Sequence, residues 1–232
     1  MSVSELSSST QNYLKAVWGL SEWSSAAVTP TLIAEKTGLK LSSVSDAVRK
    51  LSAQGLLSHA PYGAVEFTDA GRAHALAMVR RHRLLESFLV GVLGYSWDQV
   101  HDEADNLEHA VSDFMVDRID RLLDFPSRDP HGDPIPSADG TVVIPDAVQL
   151  TAVAAGARVV VERISDDDPA LLQFFQEHGV VVGAELVVSQ GAPFSGVLDV
   201  HVAGADSPVP LGSAATDALY VSAAGDARGG SR

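Results

Sequence analysis

Apolar Tyr13, Leu14, Val17, Trp18 and Leu20 recur at three- and four-residue spacing, which predicts a first helix over Ser9–Trp23. Thr29-Pro30-Thr31 reads as a helix start, with Thr29 as N-cap and Pro30 at the first helical position. Gly38 ends that short helix, and a second spans Ser42–Leu51 and closes near Gly55. Two short helices around a tight Gly-containing turn form a helix-turn-helix pattern. Leu56–Thr68 then reads as two strands around Pro61-Tyr62-Gly63, the wing of a winged helix. A long helix is expected from Thr68-Asp69 to about Val92, another over His101–His109, and an amphipathic one over Ser112–Leu123. Residues 124–150 lose the rhythm: Pro126, Pro130, Pro134, Pro136 and Gly132 preclude regular structure, so the stretch reads as a boundary and linker.

Beyond the linker the period becomes two. Strands are expected at Ala157–Ile164, Ala184–Ser189, Val197–Val202 and Leu219–Ser222, interrupted by one helix, Pro169–His178, with Asp168 as its cap. This is a small β-barrel-like module, followed by a loose tail, Gly225–Arg232. The chain is thus mainly α with a small β part. The expected domains are a winged helix-turn-helix over 1–75, a helical metal-binding and dimerisation domain over 76–145, and the β module over 151–224.

Composition narrows the chemistry. The chain has 232 residues and no cysteine, so disulfides, thiolate zinc sites and cysteine nucleophiles are excluded. No apolar run approaches the roughly 20 residues of a membrane span, and the Ser-rich start lacks a secretory pattern. A cytoplasmic protein without a membrane partner is expected. The net charge of −14 argues at first against nucleic acid, yet residues 1–80 hold seven Lys or Arg against six acids. That half can therefore approach phosphate, and its modest charge asks for two copies, a bound cation, or both. In the second helix of the pair, Ser42, Ser43, Ser45 and Arg49 are the groove-facing candidates, with Thr29, Thr31, Lys40, Lys50 and the wing's Tyr62 beside them. Asp46 reads as a neutraliser of Arg49 or Lys50.

The densest chemistry lies in His101-Asp102-Glu103-Ala104-Asp105-Asn106-Leu107-Glu108-His109. On a helix, residues 101, 105, 108 and 109 share a face. His82 and Glu86 repeat the one-turn spacing upstream. Six nitrogen and oxygen donors on two helices suit a divalent first-row metal. Asp105, Glu108 and His109 can supply one centre, and His82, Glu86 and His101 a second. Without thiolate the set favours manganese(II) or iron(II), with zinc and cobalt as in-vitro substitutes.

Three segments carry a resemblance: Arg81–Glu86, Val100–His109 with Ser112-Asp113, and Asp129-Pro130-His131-Gly132-Asp133-Pro134-Ile135-Pro136. From about Thr10 to Ser222 the chain resembles the diphtheria toxin repressor family of iron- and manganese-dependent regulators. The resemblance implies a winged helix, a helical dimerisation and metal domain, and a C-terminal SH3-like β-barrel. It implies a primary site of Asn12, Asp105, Glu108 and His109. It also implies an ancillary site of His82, Glu86 and His101, completed by Asp167 or Asp168. Hard oxygen donors at 12 and 105 place the chain nearer the manganese-responsive branch. Lys15 stands where some members have a glutamate ligand, so that variant of a binuclear site is not expected.

The expected function is a manganese-activated repressor that binds operator DNA as a homodimer and controls metal homeostasis, with no organic substrate. An iron(II)-dependent regulator is the alternative, and a winged-helix regulator sensing an organic ligand a more distant one. A hydrolase is disfavoured because the chain lacks H-E-x-x-H, G-x-S-x-G and a phosphate loop.

Overall fold

The structure, a computed structural model, describes residues 3–59 and 63–224. These residues form two compact units, each built from separate stretches of chain. The first combines positions up to 85 with 104–127 and 135–142; the second combines 86–103, 128–134 and the positions from 143 onward.

The first unit begins with α1 (Ser8–Glu22), α2 (Pro30–Thr37) and α3 (Leu41–Ala53), followed by the strands β1 (Leu57–His59) and β2 (Val65–Phe67). Local chemistry sets the boundaries. The hydroxyl of Ser7 caps α1 by accepting from Thr10 N, and that of Thr29 caps α2 by accepting from Leu32 N. Gly38 closes α2 at φ +67, a backbone conformation natural to glycine. Helix α3 is amphipathic: Val44, Val48 and Leu51 are buried, while Ser42, Ser43, Ser45, Arg49 and Lys50 are exposed. The buried side joins Leu14, Val17, Trp18, Ile33, Leu57, Val65 and Leu76 in one apolar core. β1 and β2 pair antiparallel, Leu57 opposite Phe67. This is the expected winged helix; Tyr62, expected at its tip, lies outside the described residues.

Helix α4 (Asp69–Gly91) starts hard against the wing. A Cβ on Gly71 would lie 1.7 Å from the Leu56 carbonyl oxygen, so only glycine fits there. Thr68 fixes the junction: its hydroxyl donates to Gly55 O at 2.7 Å and accepts from Gly71 N at 3.1 Å. Helices α5 (Val100–Leu107) and α6 (Asp113–Leu122) follow, with Ser112 capping α6 as its sequence suggests. Helix α5 stops at Leu107, so Glu108 and His109 sit in the turn after it rather than on the helix read from the sequence.

The second unit contains a six-stranded antiparallel sheet in the order β3-β8-β4-β5-β6-β7. Its strands are β3 (Val148–Gln149), β4 (Arg158–Ile164), β5 (Glu185–Gln190), β6 (Leu198–Val202), β7 (Val209–Leu211) and β8 (Leu219–Ala223). Helix α7 (Pro169–Glu177) joins β4 to β5, and α8 (Ser213–Ala218) precedes β8. Phe175, Leu172, Leu150, Ile164, Leu186 and Val188 fill the core of this SH3-like module. A register shift between Val161 and Arg163 breaks the alternation of β4. Val159, Val161 and Ile164 are therefore all buried, while Glu162 and Arg163 are half-buried.

The proline-rich stretch departs from expectation. It lacks helix and strand until β3 begins at Val148, but it is not a loose linker. Asp129, His131, Asp133 and Ile135 are buried. Asp129 Oδ1 accepts from the backbone N–H of His131 and of Asp133, both at 2.9 Å. Asp133 accepts from Arg163 Nε at 2.8 Å, Arg128 donates to Glu162 at 2.6 Å, and His131 O accepts from Ile164 N at 2.9 Å. Proline and glycine removed the periodicity without removing the order, because side-chain carboxylates satisfy the backbone donors.

Candidate metal centres

Each unit holds a cluster of imidazole and carboxylate groups. In the first unit it surrounds Glu108, whose side chain is fully buried. Glu108 N bonds Ala104 O at 2.9 Å, extending the last turn of α5, and Arg81 donates to Glu108 O at 3.1 Å. Arg81 is itself buried and paired with Asp113. The backbone is thus held so that the Glu108 carboxylate faces α1 and α4.

Three groups meet that carboxylate. His82 Nδ1 lies 2.7 Å from Oε2. Lys15 Nζ donates to Oε1 at 2.8 Å and Oε2 at 2.9 Å, and to Asp105 Oδ1 at 2.5 Å. His109 Nε2 stands 3.7 Å from Oε1. Burial would lower the Lys15 pKa, but the charges of Glu108 and Asp105 outweigh it and hold it above its ordinary value. Burial would likewise raise Glu108, yet hydrogen bonds and charge from His82 and Lys15 hold it below.

His109 has a fixed tautomer. Gln11 donates its Nε2 to Val3 O and Leu6 O, both at 2.9 Å, which turns its Oε1 toward His109 Nδ1 at 2.6 Å. An amide oxygen only accepts, so Nδ1 carries a proton and Nε2 is the nitrogen that faces Glu108. This is how a metal-binding imidazole is oriented from behind. The α1 residues that reach the cluster are therefore Gln11 and Lys15, whereas Asn12, expected from the sequence, is exposed. His82, Asp105 and Glu108 each present a ligand atom within 4.8 Å of the other two.

The second unit brings together Glu86, His131 and Asp166, again with ligand atoms mutually within 4.8 Å. His131 is fully buried. Its Nε2 lies 2.7 Å from Trp97 O, so that nitrogen is the donor, and Nδ1 has no hydrogen-bond partner. A buried imidazole nitrogen without a hydrogen-bond partner beside two carboxylates is a poor arrangement alone and a good one for a divalent cation. His101 Nδ1 contacts Asp166 Oδ2 at 2.8 Å and Glu86 Oε1 at 3.3 Å. Burial opposes the His101 charge, but bonding to Asp166 and Glu86 wins and pushes its pKa up to about 11. Asp166 is held well below the carboxylate range: burial opposes this, and His101 and Arg163 outweigh it.

Of the three consecutive aspartates of the β module, Asp166 is the one whose carboxylate meets His101. Asp168 caps α7 by accepting from Ala170 N and Leu171 N, and Asp167 accepts from Ser165. His82 and Glu86 keep their one-turn spacing on α4, and His82, Glu86 and His101 form one of the sets whose ligand atoms lie within 4.8 Å of one another; His82 Nδ1 also meets Glu108. His131, Gln11 and Asp166 were not identified as site residues from the sequence. A histidine and two aspartates inside a Pro/Gly loop were the available signal for His131.

Among the DNA-contact candidates, Thr31, Lys40, Ser42, Ser43, Ser45, Arg49 and Lys50 are exposed, and the Thr29 hydroxyl is engaged as a cap. Asp46 pairs with Arg49, as read from the sequence.

The chain matches three family models. Residues 5–65 match the iron dependent repressor N-terminal DNA binding domain, 68–137 the iron dependent repressor metal binding and dimerisation domain, and 148–223 the FeoA domain. It is 34% identical over 200 residues to the iron-dependent repressor IdeR of Mycobacterium leprae (strain TN), covering 80% of this chain and 86% of that protein. It is also similar to the solved structure of a manganese-dependent transcriptional repressor in complex with manganese. That likeness is at 50% identity and a TM-score of 0.88, over 93% of this chain and all of the other. ScaR with bound zinc is 30% identical with a TM-score of 0.78, over 93% of this chain and 99% of the other.

Proposed function

The chain belongs to the family of iron-dependent repressors that includes the diphtheria toxin repressor, and from that premise we propose a metal-activated DNA-binding repressor whose physiological activator is manganese(II). The observation that carries the coupling is the reach of α1 into the Glu108 cluster. Gln11 and Lys15 belong to a helix that packs in the same core as α3, and both contact the carboxylate and imidazole groups beyond α5. A change of cation there acts directly on the helix that supports the DNA-reading element.

In this reading Asp105, Glu108 and His109 would hold one ion, with an amide oxygen from α1, Gln11 or Asn12, beside them. Glu86, His131 and Asp166 would hold a second. His82 and His101, expected as ancillary ligands with Glu86, would stand beside it, His82 also against Glu108 and His101 also against Asp166. A bound ion supplies fixed positive charge among groups that otherwise repel. The protein's own work is to deprotonate, orient and bury those groups. The oxygen- and imidazole-rich donor sets, free of sulfur, support manganese, with iron(II) as the alternative; zinc and cobalt would load the same donors in vitro.

Exposed serines, Arg49 and the lysines of α3 would meet the major groove, and two protomers would present two such helices about one DNA turn apart. Exposed Phe114, Met115 and Leu122 on α6 support a homodimer. No catalytic role is proposed, and the site of action would be the cytoplasm. By linkage, operator DNA must tighten metal binding by the factor that metal tightens DNA binding. The test is operator binding titrated with manganese, anaerobic iron(II) and zinc. Manganese is expected to activate at micromolar levels or below, and Asp105→Ala to abolish the response in a folded protein. Operator binding indifferent to metal and to chelator would refute it.

A further inference from the structure

The Glu108 cluster contains more cation-binding capacity than one ion uses, and part of it is already filled. The Lys15 ammonium has three donors, and three carboxylate oxygens lie within reach: Asp105 Oδ1 at 2.5 Å, Glu108 Oε1 at 2.8 Å and Glu108 Oε2 at 2.9 Å. His82 Nδ1 completes the surround at 3.3 Å. His82, Asp105 and Glu108 are the three residues whose ligand atoms lie mutually within 4.8 Å. The ammonium therefore occupies a cage of the size and donor type that a divalent ion takes. Glu108 is shared: His109 Nε2 also stands near it, 3.7 Å from the same Oε1 that accepts from Lys15. A first-row ion bound by carboxylate oxygens sits at roughly 2.0–2.2 Å from them, so it cannot share the cage with a side chain already seated there.

We propose that Lys15 is a tethered cation that fills one of two cation positions around Glu108, restricting this cluster to a single divalent ion and raising the concentration at which it loads. The inference rests on the reading of Asp105, Glu108 and His109 as metal ligands. The mechanism is electrostatic. A resident charge of +1 keeps buried Glu108 neutralised without metal, which removes the urgency to bind one. It also repels an ion arriving on the His109 side.

The experiment uses full-length, metal-stripped protein with Mn2+ as the probe. Bound Mn2+ per protomer is counted after equilibrium dialysis, and electron paramagnetic resonance reports whether the ions are magnetically isolated. Four proteins are compared: wild type, Lys15→Glu, Lys15→Met and Glu108→Gln. Wild type should show isolated ions only. Lys15→Glu should bind one more ion per protomer and give an exchange-coupled pair, as expected at the ~3.5–4 Å spacing of two-metal sites. Lys15→Met keeps the aliphatic stem, adds no ligand, and should load at about tenfold lower free Mn2+. Circular dichroism and a melting curve confirm that each variant is folded; Lys15→Met keeps the test decisive if Lys15→Glu is not. Glu108→Gln should lower the wild-type count by one. No change there overturns the assignment of metal to this cluster and the Lys15 inference with it. A drop there, with Lys15→Glu uncoupled and Lys15→Met no tighter, overturns the Lys15 inference alone. A coupled pair in wild type also overturns it.

Discussion

Replacing Gly132 by alanine tests whether the His131 loop is a built support. Gly132 has φ +90, and a Cβ placed on it would lie 2.1 Å from Glu162 O and 3.0 Å from Arg163 Cα. Two costs combine. An L side chain in the left-handed region costs roughly 1–2 kcal/mol. Relieving a backbone contact more than an ångström too short adds about 1–3 kcal/mol of overpacking. The loop cannot yield cheaply, because the adjoining Asp129 and Asp133 carry its hydrogen bonds to His131 N and Arg163. The sum is about 2–5 kcal/mol, a large part of the 5–15 kcal/mol that holds a typical domain together. Gly156→Ala is the matched control. Its φ is +94, but nothing lies within 4 Å of its added Cβ, so only the backbone cost of about 1–2 kcal/mol applies. Urea unfolding followed by tryptophan fluorescence reads both, since Trp97 stacks on His131 with ring centroids 5.9 Å apart. Gly132→Ala should also bind one Mn2+ fewer per protomer. Equal destabilisation by the two substitutions, or a Gly132→Ala protein within 1 kcal/mol of wild type, would refute the reasoning.

Three other outcomes are expected. Gln11→Ala removes the acceptor that fixes the His109 tautomer and should weaken Mn2+ binding about 10–100-fold, measured by titration calorimetry; unchanged affinity would show that the orientation is dispensable. Phe175→Ala empties a fully buried position in the β module and should cost about 3–5 kcal/mol by urea unfolding, leaving specific operator binding measurable only below the new midpoint. In metal-free protein, His101 is held at about 11 against an ordinary 6.5. The folded state then binds more protons than the unfolded one between those values, so its stabilisation is complete below 6.5 and lost as pH rises toward 11. Melting temperature in chelator should therefore fall from pH 6.5 to 9.5, and the fall should shrink in His101→Gln; a flat profile would contradict the assigned ion pair.

Where periodicity governs structure, the sequence was an adequate guide. Thr29-Pro30, Gly38 and Ser112 marked helix ends because capping is local chemistry, and the apolar stripe of α3 named its own buried side. Other features depended on partners distant in the chain. Gln11, Leu14, Lys15 and Trp18 share one helical face, so the phase that buries Leu14 carries Gln11 inward and leaves Asn12 outside. Asp166, Asp167 and Asp168 are indistinguishable by type; only the cap role of Asp168, next to Pro169, was readable. His131 was hidden for a different reason. Its loop is ordered by carboxylate-to-backbone bonds that have no period, and its neighbours Glu86 and Asp166 come from other segments. The turn at Glu108 and His109 likewise follows from where α5 stops, which the donor spacing alone did not indicate.

Every donor in both clusters is nitrogen or oxygen. Peroxide attacks thiolates and, more slowly, thioethers, converting them to acids and sulfoxides that no longer bind metal. Imidazole and carboxylate offer it no comparable target. A regulator of this build keeps its sensory chemistry intact during an oxidative burst, and any loss of response under such stress would originate in the oxidation state of the ion rather than in damage to the polypeptide.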